Sequence, residues 1–143
     1  MQIDKCKQND INEVYNLVCE LEGTKFDYND FKITFNNKIK NENTYCIVCR
    51  NENNILGFLN LNIDYQLHHN GKIATIEELI VGNKHRSNGI GGLLLESAIA
   101  YAKNSKCKTI ELTSNFSRER AHDFYTKNGF EKVSFKFKME LTG

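Results

Sequence analysis

Apolar positions along the chain alternate between helical and strand spacing, and the order of these spacings predicts the elements of the fold. Residues 2–6 form a short predicted strand, and Asp10 begins a helix with Glu13 at the capping-box position. One face of this helix is apolar and carries Ile11, Val14, Tyr15, Val18 and Leu21. Asp27 is the expected N-cap of a second helix over Tyr28–Lys40, in which apolar residues recur every fourth position.

The middle of the chain has the period of β-strands. Residues 45–50 and 55–63 are rich in β-branched and other apolar residues, and the polar turn at 51–54 predicts a hairpin between them. Asn70-Gly71 is a second turn signal, for which we expect type I′ geometry because both residues tolerate positive φ. A third long strand over 73–81 follows.

Beyond this strand the pattern becomes helical again. An apolar stripe predicts a helix over residues 91–104, and residues 109–113 supply the next strand. A last helix is expected over 118–128, with Ser117 as N-cap and Gly129 just past its end.

Residues 130–141 alternate well enough for a final pair of strands or one bent strand. The element order is therefore β-α-α-β-β-β-α-β-α-β. Early strands pair antiparallel, and a late strand-helix-strand unit gives a parallel crossover. We expect a mixed α+β (α/β) fold in one domain that spans residues 1–143.

Charge and composition restrict the classes of function. Lysine and arginine number 19 against 18 acidic residues, a balance that argues against nucleic-acid binding and against attachment to anionic membranes. No segment has the length of a membrane span, and the first residues carry charges where a signal peptide is apolar, so we expect a cytoplasmic protein.

Five cysteines make a disulfide framework improbable, because their number is odd and they lie scattered in apolar segments. Cys46 and Cys49 form a C-x-x-C motif, but it lies on a predicted strand, where residues three apart face opposite sides. We interpret them as two small core residues with reduced thiols.

The segment from Glu77 to Gly92 runs through strand, polar loop, glycine-rich turn and helix. Backbone N–H groups converge at the start of such a helix, and glycines let an anion approach, so this segment predicts a pyrophosphate site. It is not a P-loop, since no Lys-Ser or Lys-Thr follows the glycines. It also lacks the third glycine of a dinucleotide fingerprint, where Leu94 stands instead. A simple tight turn is the alternative interpretation.

Arg86-x-x-Gly89-x-Gly91 resembles the acetyl-CoA pyrophosphate loop of the GNAT N-acetyltransferase superfamily, and the segment 121–130, AHDFYTKNGF, resembles the family's A-x-x-F-Y-x-x-x-G-F motif. The resemblance implies the GNAT fold, a mixed central sheet splayed between the fourth and fifth strands and flanked by helices. It also implies acetyl-CoA as cosubstrate. The residues implied to bind it are Leu79, Ile80, Val81, Arg86, Ser87, Asn88, Gly89, Ile90, Gly91, Gly92, Asn115, Ala121, Phe124 and Tyr125.

Several segments are similar to the aminoalkylphosphonate N-acetyltransferase branch of this superfamily, among them Leu67-His68-His69, Thr113-Ser114-Asn115 and the Phe124-Tyr125 pair. This resemblance implies small aminoalkylphosphonate acceptors and a divalent metal ion at the acceptor site. Expected acceptor-binding residues are Phe26, His68, His69 and Arg118, and expected metal ligands are His68, His69 and Glu78. A solvated loop is the alternative for the histidine pair.

Acetyl transfer to an amine requires a base, because a primary alkylamine is mostly protonated at neutral pH. Glu77 and Glu78 are the candidates for this base. On a regular strand they face opposite sides, and a bulge would decide which of them enters the cleft. The resemblance favours Glu77. Tyr125 is the implied general acid, with aromatic packing as the alternative. The backbone N–H groups of residues 79–81 are the expected donors to the acetyl carbonyl.

The acceptor class is open between an aminoalkylphosphonate and a polyamine, an aminoglycoside or a protein amine. A polyamine or aminoglycoside pocket should be strongly acidic, whereas a phosphonate pocket should carry metal ligands or uncompensated cations. A non-catalytic acetyl-CoA sensor is a further alternative, against which Tyr125 and the glutamate pair argue. We expect a small-molecule amine as partner, with a homodimer as an option for assembly.

Overall fold

The computed structural model describes residues 1–142, and the chain divides into two compact units, Met1–Glu111 and Leu112 onward. The strands are β1 (Gln2–Lys5), β2 (Thr44–Asn51), β3 (Asn54–Gln66), β4 (Gly71–Val81) and β5 (Thr109–Leu112). The helices are α1 (Ile11–Glu22), α2 (Tyr28–Lys40), α3 (Ile90–Asn104) and α4 (Glu119–Lys127). The order confirms the predicted sequence of elements as far as α4. One domain over the whole chain stays a prediction.

The five strands form one sheet in the order β1-β2-β3-β4-β5. β1 to β4 pair antiparallel, and β5 runs parallel to β4 after the α3 crossover. The backbone N–H of Lys108 donates to the carbonyl of Lys72 at 2.8 Å, which joins the starts of the last two strands. The mixed sheet predicted from the sequence is therefore confirmed.

Helices cover both faces of the sheet. Cys46, Val48 and Phe58 point toward α1 and α2, where they share a core with Val14 and Phe35. We call this side the α1–α2 face. The opposite side, the α3 face, is closed by the buried stripe of α3, which consists of Ile90, Leu94, Leu95, Ala98 and Ala102. Burial on both faces explains why the centres of β2 and β3 are almost continuously apolar.

Gly57 on β3 permits the close approach of α3. A Cβ atom at this position would lie 2.9 Å from the carbonyl oxygen of Ile80 and 3.0 Å from side-chain atoms of Ile90 and Leu94. Any larger residue would therefore push the helix away from the sheet.

The predicted N-cap of α2 is confirmed, because the Asp27 carboxylate accepts from the backbone N–H of Asp30 at 3.0 Å. The predicted capping box of α1 is wrong. The Asp10 carboxylate instead accepts from the N–H of Lys7 at 2.8 Å and forms an ion pair with Arg50, since a 3-10 turn precedes the helix. Glu13 accepts from the backbone N–H of Ile55 and so ties α1 to the sheet.

The turn between β3 and β4 also differs from the prediction. A 3-10 turn over Leu67–His69 leads into Asn70, which alone has positive φ, at 52°. Gly71 already belongs to β4, so this is not a type I′ turn. The extra residues of the loop let the strands close without two left-handed residues.

In the second unit, α4 begins at Glu119, one residue later than predicted, and Gly129 follows it with φ of 96°. The expected strands over 130–141 are wrong for the described residues, which contain no strand after β5. Alternating apolar side chains in this segment remain exposed: Val133, Phe135, Phe137, Met139 and Leu141. Alternation shows that a segment can pair, but pairing also requires a free strand edge in reach.

All five cysteines are free thiols, and Cys46 and Cys49 are buried on opposite faces of β2, as expected. Within residues 1–142, no helix is long and apolar enough to cross a membrane.

Candidate active site

A β-bulge places Glu77 and Glu78 on the same face of the sheet. Asn60 on β3 pairs with Glu78, whereas the next residue, Leu61, pairs with Ile76, so Glu77 is the additional residue on β4. A regular strand would have turned one of the two carboxylates toward α3. Instead, both glutamates reach the α1–α2 face, and the expected alternation does not hold here.

Asn60 holds the two carboxylates together. Its side chain is only 2% exposed, and Nδ2 donates to Glu78 Oε1 at 2.9 Å and to Glu77 Oε1 at 3.2 Å. Its Oδ1 accepts from Cys46 Sγ at 3.1 Å. The sequence interpretation missed Asn60, although a polar residue in the apolar run ILGFLNLNI was a signal that could have identified it.

Lys38 on α2 neutralises one of the glutamates. Its Nζ lies 2.7 Å from Glu77 Oε1, and both side chains are about one-third exposed. The sequence interpretation also missed Lys38, because nothing in the pattern of an amphipathic helix distinguishes a lysine of a functional site from a surface lysine. The contact divides the pair into Glu77, which is bound by a cation, and Glu78, whose partner is the neutral amide of Asn60.

Burial raises the pKa of the Glu78 carboxyl above its usual value. The negative charge of Glu77 acts in the same direction, while the hydrogen bond from Asn60 and the charge of Lys38 lower the pKa of Glu78. Burial is the largest of these contributions. The result is a carboxyl group that releases and accepts a proton closer to neutral pH than an exposed glutamate does.

Glu78 lines a cavity of about 350 Å³ between the sheet and the first two helices. The lining combines aromatic and aliphatic side chains with three carboxyl groups, one amine and one thiol, and it includes Phe26, an expected acceptor-binding residue. It consists of Val14, Val18, Phe26, Asp27, Asp30, Phe31, Thr34, Phe35, Lys38, Ile39, Cys46, Phe58, Asn60 and Glu78. This volume is within the range of small-molecule sites.

The predicted pyrophosphate loop has the geometry that an anion site requires. Ser87 and Gly89 have φ of 70° and 81°, and these left-handed residues turn the chain into α3 at Ile90. No side chain caps α3, and no acidic residue lies in its first turn. The N–H groups of this turn are therefore open to an anionic ligand.

The glycines leave this site uncovered. A Cβ atom at Gly89 or Gly92 would meet nothing within 4 Å, so the space beside the loop is open. Arg86 precedes the turn, and Lys84 and His85 lie in a 3-10 turn just before it. These residues fit the pyrophosphate group of a coenzyme.

The expected carbonyl donors lie at the end of β4. Leu79 and Val81 alternate with Ile80, whose side chain belongs to the core of the α1–α2 face. β5 has four residues and starts level with the beginning of β4, whereas β4 continues to Val81. The end of β4 thus extends past the ladder with β5, which is compatible with open N–H groups there.

The second unit carries the remaining predicted residues. Tyr125 lies on α4, and its ring packs edge-on against Phe124 and Phe130 at centroid distances of 5.4 and 5.8 Å. Burial raises the pKa of the Tyr125 hydroxyl, although the charge of Arg118 opposes the shift, so the group is protonated at neutral pH.

Asn115 and Ala121 lie before and within α4. The Asn115 side-chain oxygen accepts from the backbone N–H of Ser117 at 3.0 Å and from its hydroxyl at 2.8 Å. His122 Nε2 lies 2.8 Å from the Asn115 carbonyl oxygen. These contacts fix the turn that leads into α4.

Comparison with known proteins identifies the family. The sequence model of the acetyltransferase (GNAT) family matches residues 11–130. The chain belongs to the GNAT family. A curated relative, the aminoalkylphosphonate N-acetyltransferase of Salmonella typhimurium, is 31% identical over 132 residues, which cover 92% of this chain and 86% of the relative. The resemblance found in the loop and α4 motifs is therefore confirmed.

Solved structures show the same fold. A transcriptional regulator from Bacillus halodurans superimposes with a TM-score of 0.91 at 26% identity and covers 98% of this chain and 99% of its own. An acetyltransferase from Trypanosoma brucei has a TM-score of 0.81 at 19% identity, and the match covers 98% of this chain and 99% of the other. The GNAT fold is thus confirmed, and the chain is an acetyltransferase of a family that uses acetyl-CoA as cosubstrate.

The predicted metal site of this GNAT chain is wrong. Six residue positions separate Asn60, which pairs with Glu78, from Gln66 at the far end of β3, a distance of about 20 Å. His68 and His69 lie beyond that end, so Glu78 cannot share a metal ion with them. No group of three metal-ligating side chains occurs among residues 1–142. His69 Nε2 lies instead 3.4 Å from Glu111 Oε2.

Proposed function

We propose that the chain transfers the acetyl group of acetyl-CoA to the primary amine of a small molecule. The observation that carries this proposal is the β-bulge, which brings the half-buried carboxyl group of Glu78 to a small-molecule cavity. In a member of the GNAT family, such a group has the position and the raised pKa that deprotonation of an amine requires.

Acetyl-CoA is held by the loop and the first turn of α3, where Arg86 and the N–H groups of residues 87–92 meet its pyrophosphate. The uncapped start of α3 and the positive φ of Gly89 support this assignment. Acetyl-CoA supplies an activated acyl carbon and a thiol leaving group. The N–H groups of residues 79–81 hold the acetyl carbonyl, as the family resemblance implies.

Glu78 is the proposed general base. It lines the cavity, and its only hydrogen-bond donor within residues 1–142 is the neutral Asn60 amide, whereas Glu77 is bound to the Lys38 ammonium. Glu77 is absent from the cavity lining, and its Oε1 is already in contact with the Lys38 ammonium group. Glu77, the base favoured by resemblance, thus becomes a positioning residue for Lys38 in this proposal.

Tyr125 is the proposed general acid. The amine first loses one proton to Glu78 and then attacks the acetyl carbon. As the N–C bond forms and the C–S bond breaks, Tyr125 gives its proton to the departing thiolate. The nitrogen then returns a second proton to the tyrosinate. The net result is one amide, one thiol and one proton released from Glu78 to solvent. The raised pKa of Tyr125 keeps its hydroxyl protonated for this role.

Two observations bear on the acceptor, and they favour different classes. Similarity to the Salmonella typhimurium enzyme favours an aminoalkylphosphonate, with Arg118 and Phe26 as its proposed contacts. The carboxyl groups that line the cavity favour a cationic amine without an anionic group. A cytoplasmic location and a homodimer stay predictions.

A panel of primary amines incubated with acetyl-CoA tests the proposal, with thiol release and the mass of the N-acetylated product as readouts. We expect acetylation of at least one small amine, with loss of activity in Glu78→Gln. Thiol release without an acetylated amine, or full activity in Glu78→Gln, would contradict the proposed mechanism. Glu96→Gln removes an exposed carboxylate from α3 and serves as the matched control.

A further inference from the structure

We propose that the cavity beside Glu78 selects a cationic amine with an apolar body, such as an alkylamine or arylalkylamine, and disfavours acceptors that carry an anionic group. This inference rests on the proposed acetyl transfer and names the class of its acceptor. It is drawn from the charges and the apolar surface that line the cavity.

The acidic and basic groups in the cavity lining, apart from the thiol of Cys46, are three carboxyl groups and one amine, from Asp27, Asp30, Glu78 and Lys38. The only cation among them is already neutralised, because Lys38 forms its ion pair with Glu77. A phosphonate at this place would meet carboxylates without a free positive charge. An ammonium group, in contrast, would meet complementary charge.

Asp27 and Asp30 have different tasks. The Asp27 carboxylate is used as the N-cap of α2, where it accepts from the Asp30 N–H. The carboxylate of Asp30 makes no hydrogen bond and no ion pair within residues 1–142. Asp30 therefore remains available to a ligand, and we assign it the main part in charge selection.

The remainder of the lining is apolar. Aromatic rings from Phe26, Phe31, Phe35 and Phe58 surround the cavity together with aliphatic side chains of α1 and α2. Such walls favour a hydrocarbon or aromatic body, and aromatic faces also attract ammonium groups. They offer few partners to the hydroxyl groups of an aminosugar, which would lose hydrogen bonds to water on entry. Shape and charge together indicate an amine with an apolar body.

The test compares 2-phenylethylamine with 2-aminoethylphosphonate, which present the same primary amine on a two-carbon chain. We expect kcat/KM for phenylethylamine to exceed that for the phosphonate at least tenfold. Asp30→Asn should lower kcat/KM for phenylethylamine about threefold to tenfold, mainly through KM, and should raise it for the phosphonate. Asp64→Asn removes the same charge from an exposed position near the far end of β3 and should change neither value.

Binding of both amines measured by calorimetry separates this inference from the proposed function. If neither amine is acetylated but phenylethylamine binds and loses affinity in Asp30→Asn, the acceptor class stands and the acetyl transfer assigned to the site fails. A phosphonate acetylated better than phenylethylamine would overturn the inference and leave the acetyltransferase proposal intact. Absence of phenylethylamine binding, or equal affinity in wild type and Asp30→Asn, would also overturn it.

Discussion

Glu77 and Glu78 accept hydrogen bonds from one and the same donor, the Nδ2 group of Asn60, at 3.2 and 2.9 Å. Neighbouring residues on a strand do not normally share a partner, because their side chains point to opposite faces. The bulge at Glu77 removes this separation, and the like charge of Glu77 adds to burial in raising the pKa of Glu78. The bulge therefore brings the proposed base to the cavity and also contributes to the raised pKa of its carboxyl group.

Replacing Glu78 with glutamine should lower kcat about 10²-fold to 10⁴-fold, the usual range for loss of a general base.

The same replacement should also stabilise the protein at neutral pH. Because the pKa of Glu78 is raised by folding, the folded state binds more protons than the unfolded state between the two pKa values, and stability falls as pH rises through that interval. Thermal unfolding at pH 4 and pH 7 should show that the gain of the variant is larger at pH 7.

Glu77→Gln is the comparison for this experiment. It removes a carboxylate of the same bulge, and we expect a smaller loss of kcat, because Glu78 is retained. Equal losses in the two variants, or a greater loss in Glu77→Gln, would assign the base to Glu77.

Lys38→Met should move the acidic limb of the kcat/KM pH profile to higher pH. Lys38 lowers the pKa of Glu78, so its removal lets the carboxyl group stay protonated at a higher pH. Lys40→Met removes a positive charge from the same helix at an exposed position and should leave the limb in place. An unchanged limb in Lys38→Met would show that Glu78 does not control this ionisation.

Gly89→Val should weaken acetyl-CoA binding at least about tenfold. The left-handed conformation at φ of 81° opposes a β-branched residue, and the new side chain would enter the open space beside the helix start. Gly71→Ala gives the contrast, since Gly71 lies at the other end of β4 from the loop and its Cβ would press only on the Lys108 side chain. Calorimetry should find reduced affinity in the first variant and normal affinity in Gly71→Ala.

Tyr125→Phe should lower kcat about 10²-fold or more and leave acetyl-CoA affinity nearly unchanged, because the ring keeps its packing and only the proton donor is lost. Single-turnover kinetics checks that the chemical step is the one that slows. Unchanged turnover would show that Tyr125 contributes only aromatic packing and is not the general acid.

His68→Ala should leave the KM of the acceptor unchanged within about twofold, because the loop lies at the other end of the β3–β4 hairpin from Glu78. The experiment compares steady-state kinetics of wild type and variant with the preferred amine. A selective rise in the acceptor KM would mean that the histidine loop takes part in acceptor binding.

The elements of the first unit follow from local pattern, which is why the strands, the Asp27 cap and the glycine turn before α3 were predicted from the sequence. The carboxylate pair could be located but not oriented, since orientation depends on which residue of β4 lacks a partner on β3. Lys38 lies 39 residues before Glu77, and no local signal connects them. The prediction that His68 and His69 share a metal ion with Glu78 was wrong for a similar reason. The register of a hairpin decides which of its residues lie close together, and no local signal gives that register.

The bulge makes the site sensitive to the length of β4 as well as to its composition. Loss of one residue between Ile76 and Glu78 would restore regular alternation and leave a single acid at the cavity, with Asn60 and Lys38 competing for it. Homologous strands that differ by one residue here would therefore differ in proton chemistry even where every remaining side chain is identical. A one-residue deletion is consequently a sharper change to this enzyme than most substitutions along the same strand.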